Sequence, residues 1–266
     1  HHKQKLYTLL SELYFAAHPP RGGGYPSPPP PFKKEKHFSR HASRQHMIEK
    51  AHKEVTLDNL TYHYPFTNPP LPYAYQALEP YIDEKTMKLH HDRHLQTYVD
   101  NLNKALADYS RFHNWTLEQL LYNIASLPEE IQTAVRNNGG GVYNHLLYFT
   151  GRFEPNANGA LADAIRREYG SLDAFLKKLK EAALSVFGSG YAWLVVAADG
   201  SLMITTTKNQ DTPLPLGLCP VFNLDVWEHA YYLKHYNLRA DYINDLFHVI
   251  NWEQAGQRYM ACFQMQ

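Results

Sequence analysis

The sequence predicts an α+β fold: a long N-terminal α-hairpin, then an α/β domain with a three-stranded antiparallel sheet and flanking helices. Three observations carry this. Two long stretches with helical apolar spacing come first. Two β-rich runs then flank an Asp199-Gly200 turn. Helical patterns return after a third β-rich run.

In chain order, Tyr81 to Tyr109 reads as one long helix. Asp83 stands at its N-cap position, and Met87, His90, His91, His94, Tyr98, Leu102 and Leu106 recur at helical spacing. A shorter helix, 117–126, leads to a second long one over 128–149. Gly139-Gly140-Gly141 inside a helix costs stability, so it is expected to serve close backbone packing. Helices are expected over 160–169 and 172–187. The runs 191–198 and 201–207 form a hairpin around Asp199-Gly200, and 219–224 supplies the third strand. Helices over 240–250 and 252–263 close the chain. The expected division is an extension over 1–68, a hairpin domain over 69–152 and an α+β domain over 153–266.

The extension differs in kind from the rest. Seven of the 17 prolines fall between Pro19 and Pro31, beside Gly22, Gly23 and Gly24. Such a stretch takes polyproline II geometry or stays disordered, and disorder is expected at least to residue 46. Residues 1–46 hold eight Lys/Arg and two Asp/Glu, a net of +6, which leaves −6 on 47–266. A mildly acidic globular part argues against nucleic acid as a partner. The extension reads as dispensable, with Met47 a candidate true start. The rival reading is a basic arm for an anionic surface.

With 266 residues and 44% hydrophobic content the chain can bury a core. No apolar run reaches the roughly 18 residues that span a bilayer. The two cysteines, Cys219 and Cys262, read as buried thiols in a reducing compartment, and a cytoplasmic location is expected, with secretion or surface association left open. The 16 histidines are the more telling feature, because imidazole is the commonest metal ligand.

His90, His94 and Tyr98 fall four apart on one helical stripe. Two histidines so placed can share a metal, or one can bind while the other supports it. Taken alone, such a pair is more often structural or on the surface. Asp225 and His229 are also four apart, where a predicted strand ends. A carboxylate with imidazole suits manganese or iron, but Asp225 as a helix cap and His229 as a core residue account for the same letters. His145 lies on the second long helix. Three imidazoles and one carboxylate in one small chain leave room for solvent or substrate at a metal.

These fragments carry a resemblance. LPYAYQALEPYIDEKTMKLHHDRHLQTYV (71–99), NNGGGVYNH (137–145), FGSGYAWLV (187–195), NQD (209–211) and DVWEHAYYL (225–233) together resemble the iron/manganese superoxide dismutases, in the family's order, over about Pro69 to Phe263. The resemblance implies redox disproportionation of superoxide at a mononuclear ion. It implies His90, His145, Asp225 and His229 as the metal ligands. His94 and Tyr98 match the pair over the substrate channel, and Gln210 matches the glutamine that hydrogen-bonds solvent at the metal. Glu228 and Tyr232 match residues that reach across a homodimer interface, within a dimer or a tetramer. Arg239 matches an arginine near the channel mouth, and Trp193 and Trp227 match aromatic walls. Gln210 on the loop with Gly141 on the second helix is the manganese pattern, with iron or dual use left open. The chain departs from the family at Leu95, where a second histidine is frequent, and at Tyr191 and Phe149, where tryptophan is. Two other classes fit the pattern less well. A two-histidine, one-carboxylate iron oxygenase leaves His145 unexplained, and a non-catalytic scaffold predicts the loss of a ligand, Gln210 or Tyr98, none of which is lost.

Overall fold

The computed structural model describes residues 62–149 and 159–263. The expected disorder of the extension and the boundary between 152 and 153 lie outside the described residues.

The first long helix, α1 (84–106), begins as expected at Asp83, whose carboxylate accepts from the Thr86 amide and so satisfies a free N–H of the first turn. It is α-helical over Glu84–Leu89 and Gln96–Leu106, with a π-helical turn over His90–Leu95 between them. The expected start at Tyr81 is three residues early, because the Asp83 cap sets the first turn. The short α2, Leu117–Tyr122, is opened by a Thr116–Gln119 capping box. It stops four residues before the expected end, where the chain tightens into a 3₁₀ turn at Ile124–Ser126. The second long helix, α3 (129–148), also contains a π turn, Val135–Gly139, before its last stretch Gly140–Tyr148. α1 and α3 pack against each other as an antiparallel hairpin, seamed by Leu95, Val99, Leu102, Val135 and Val142, all buried.

Two helices follow, α4 (Gly159–Tyr169) and α5 (Leu172–Ser185), the second capped by the Ser171 hydroxyl. The sheet comes next: β1 Gly190–Val196, β2 Leu202–Lys208 and β3 Cys219–Asp225, in the order β2-β1-β3, antiparallel throughout. The Asp199-Gly200 turn joins β1 to β2 as its composition predicts. Gly200 takes φ 86°, and Asp199 Oδ1 accepts from the Ser201 amide and hydroxyl. The central strand β1 is buried along its whole length. Three helices end the chain: α6 (Tyr232–His235), α7 (Arg239–Leu246) and α8 (Trp252–Phe263). The expected α+β architecture is therefore the observed one. α7 stops at Leu246 rather than Ile250.

One expectation is corrected. Cys219, at the start of β3, and Cys262, on α8, are joined in a disulfide across 43 residues of sequence. They are not free thiols, and no free cysteine remains among the described residues. α8 packs on β3, which brings the two together. The ground for expecting a reducing, cytoplasmic location is thereby lost. No helix among the described residues is long and apolar enough to cross a membrane.

Candidate metal centre

Four side chains from four places in the chain meet between the hairpin and the sheet. His90 comes from the π turn of α1, His145 from the last stretch of α3, Asp225 from the end of β3, and His229 from the 3₁₀ turn after it. One nitrogen or oxygen of each lies within 4.8 Å of the others. Asp225 Oδ2 is 2.9 Å from His90 Nε2, 3.7 Å from His229 Nε2 and 3.8 Å from His145 Nε2. His90, His145 and Asp225 are wholly buried, and the His229 side chain is 19% exposed.

These atoms are orphans. Nε2 of all three imidazoles and Oδ2 of Asp225 are buried without a partner in hydrogen-bond geometry. Leaving four such atoms unsatisfied is costly, and a cation among them would satisfy all four at once. A hard carboxylate oxygen with three imidazoles fits manganese or iron. Two of the groups are held by their other atoms, while His90 Nδ1 is buried without a partner as well. His145 Nδ1 bonds the Gly141 carbonyl at 2.6 Å, which leaves Nε2 facing the cluster. Asp225 Oδ1 accepts from the Trp227 amide, and the Asp225 carbonyl accepts from the Tyr242 hydroxyl.

Electrostatics keep the cluster in its ligating form. Burial pushes the Asp225 carboxyl up, but His229 and His90 beside it outweigh burial and hold it below the usual carboxylate range. Burial, with His90 adding, pushes His145 down to about 3. Burial also lowers His90, with Asp225 opposing.

The sequence-predicted neighbours gather around this cluster. The His94 ring stacks on the His229 ring with centroids 4.2 Å apart. Tyr98 lies 5.2 Å from the His145 ring, and its hydroxyl accepts from Gln210 Nε2 at 3.1 Å. Gln210 is buried, and its Oε1 accepts from Asn144 Nδ2 at 3.2 Å. Trp227 stacks beside His229 at 5.3 Å. Trp193 is buried and donates to the Thr207 hydroxyl, one layer behind Tyr191. Tyr191 and Phe149, two of the departures from the family pattern, still face His145 as aromatic rings, while Leu95 is buried in the hairpin core. Arg239 is already engaged: it donates to the carbonyls of Val186 and Gly188 and to the Tyr231 hydroxyl. Asn144 and Tyr242 were not singled out in the sequence. The Asn that precedes His145 was the available signal for the first; nothing local marked the second.

Comparison with known proteins gives the family. The alpha-hairpin domain of iron/manganese superoxide dismutases matches residues 65–151, and the C-terminal domain of the same enzymes matches 157–258. The chain belongs to the iron/manganese superoxide dismutase family. It is 50% identical over 199 residues to the superoxide dismutase (Mn/Fe) of Methylomonas sp. (strain J), covering 73% of this chain and 97% of that protein. It is 47% identical over 206 residues to superoxide dismutase (Mn) 2 of Bacillus anthracis, covering 76% and 98%. Membership in the iron/manganese superoxide dismutases accounts for the buried, unpartnered donor set and excludes the two-histidine oxygenase reading.

Proposed function

We propose that this chain disproportionates superoxide to dioxygen and hydrogen peroxide with His90, His145, Asp225 and His229 holding a manganese ion. The observation that carries the reading is the convergence of four unpartnered buried donor atoms beside a hydrogen-bonded pair of buried Gln210 and half-buried Tyr98. When bound, the metal supplies the one-electron couple that the two half-reactions share.

The protein's own residues handle binding and protons. Forming hydrogen peroxide consumes two protons. Burial raises the Tyr98 hydroxyl above its ordinary value, so it stays protonated at neutral pH and has a proton to give. Gln210 donates to the Tyr98 oxygen and thereby points the phenolic hydrogen elsewhere. Asn144 holds the other end of the same carboxamide, so Gln210 cannot turn over without losing a bond at each end. His94 is half-buried between solvent and cluster, and burial pushes it down to about 4, so it enters as a neutral imidazole able both to accept and to donate. Arg239, with its donors fixed, contributes a positive charge on an otherwise acidic globular part, which favours an anionic substrate.

Manganese is favoured over iron by the source of Gln210. It comes from the loop after β2, and Gly141 on α3 leaves no room for a side chain under Tyr98. We further propose a homodimer, or a tetramer built from it, in which exposed Glu228 and Tyr232 lie at the interface. Metal analysis and a dismutase assay on protein grown with both metals test the reading. Manganese should be retained and active. Iron alone, with full activity only in that form, would overturn the metal assignment, and an inactive manganese-loaded protein would overturn the function.

A further inference from the structure

Gln210 sits on an irregular connection, yet its neighbours are tied down on several sides. Asn209 takes the left-handed conformation, φ 50°, its amide bonds the Ser189 carbonyl, and its carbonyl accepts from Trp227 Nε1. The Asp211 amide bonds the Lys208 carbonyl. Beyond the bond from Gln210 to Tyr98 on α1, further ties come from α3. Arg136, Gly140 and Asn144 are four residues apart and form one stripe. All three meet the 210–211 stretch. Asn144 donates to the Asp211 carbonyl as well as to Gln210 Oε1. Gly140 is pressed so close that a Cβ there would lie 2.0 Å from the Gln210 carbonyl oxygen. Arg136 grips the Asp211 carboxylate at two points, Nε to Oδ1 and Nη2 to Oδ2, each 2.7 Å.

We propose that Arg136 is a positioning residue for the reaction: its two-point grip on Asp211 fixes the loop that aims the Gln210 carboxamide at Tyr98. The inference rests on the reading of Gln210 and Tyr98 given above. A fork-to-fork pair of this kind sets orientation as well as distance. Its contribution to folding stability is small. The Arg136 side chain is 57% exposed and that of Asp211 34%, and ion pairs so exposed add little to folding. A purely structural surface pair therefore predicts silent variants. A positioning pair predicts altered chemistry in a protein that melts normally. Lysine separates orientation from charge, because it keeps the positive charge but makes only a point contact.

The experiment uses the full manganese-loaded chain and compares Arg136→Lys, Arg136→Gln, Asp211→Asn, the double variant Arg136→Gln/Asp211→Asn, and Gln210→Leu. Each is measured for kcat, KM, metal content, melting temperature and the visible absorption of the oxidised manganese form. Arg136→Lys and Arg136→Gln should each lose roughly fivefold or more in kcat, since small misplacements near the chemistry are costly. KM should hold within about twofold. Their absorption should move toward that of Gln210→Leu, with full metal content and melting within about 2 °C of the parent. The double variant should be no worse than the poorer single one, as for two residues acting as a unit. Wild-type kcat and absorption in both Arg136 variants, alongside a loss in Gln210→Leu, would overturn the role of Arg136 while leaving that of Gln210 standing. A silent Gln210→Leu would overturn both. A large fall in melting temperature or metal content in the Arg136 variants would make the pair structural and also overturn the inference.

Discussion

Gly141 and Tyr98 touch: a Cβ built on the glycine would lie 2.5 Å from the Cγ and Cδ1 atoms of the phenol ring. The glycine thus sets the position of the ring from below, while Gln210 sets it from the hydroxyl end. Gly141→Ala should push Tyr98 off its place, lowering stability on the order of 1–3 kcal/mol as overpacking does and cutting dismutase activity. Gly139→Ala is the control. Its nearest neighbour is the movable Leu121 Cδ2 at 3.3 Å, and alanine gains helix propensity there. Denaturant melts and activity assays should separate the two variants clearly; equal behaviour would mean that the Tyr98 contact does not fix this position.

The ligand assignment predicts a division between metal loss and activity loss. Asp225→Ala and His145→Ala should each purify nearly free of metal, since each removes a donor from the cluster. Gln210→Leu should retain the metal and lose much of its activity. Elemental analysis read beside the assay decides this. Full metal content in Asp225→Ala would contradict the assignment.

The metal-free protein should weaken in mild acid. His145 sits near 3 in the fold against an ordinary 6.5. Between those values the unfolded chain binds a proton that the folded one does not, so stability is whole above about pH 6.5 and falls as pH drops. His94, near 4, acts in the same direction but is half-exposed and counts for less. A single fully shifted group contributes about 1.4 kcal/mol per pH unit. Thermal melts of metal-free protein from pH 7.5 to 5 should show a steady decline; a flat or rising series would contradict it.

The disulfide should be felt on heating. A crosslink closing about 43 residues is worth about 4 kcal/mol in the chain-entropy account, and measured values commonly run lower. Reduced protein, or Cys219→Ser with Cys262→Ser, should melt several degrees below the oxidised form. Identical melting with and without reductant would show that the bond adds no stability.

The dimer prediction rests on exposed apolar surface. Phe187 is 97% exposed, and Tyr232, Tyr236 and Leu238 are all more than half exposed. Arg239 bonds both carbonyls that flank Phe187, so the Phe187 loop and the Leu238 segment share one region. Such a patch calls for a partner. Sedimentation should give a dimer or its multiple, and Phe187→Glu should weaken it. Glu228→Ala should disturb both assembly and metal content; no change in either would make Glu228 an ordinary surface charge.

Much of this was legible in the sequence, though unevenly. Asp83 announced the start of α1, and Asp199-Gly200 announced the hairpin, because caps and turns are written in adjacent letters. The stripe of His90, His94 and Tyr98 followed from helical spacing. The glycine run signalled close approach but not its partners, since Tyr98 and the Gln210 carbonyl arrive from distant parts of the chain. The Cys219–Cys262 bond was misread for the same reason: only the packing of α8 on β3 brings those residues together. The π turns at His90–Leu95 and Val135–Gly139 left no recognisable letter, because the extra residue in each is accommodated by packing between the two helices.

The four donors come from the first helix of the hairpin, its second helix, the last strand and the turn beyond it, in that order along the chain. A ribosome therefore delivers the first two long before the last two. The hairpin alone presents two imidazoles and no carboxylate to the cluster, so a partly made chain has no full seat for an ion. Metal capture is thus a late event in the life of each molecule, gated by completion of β3 and the turn after it.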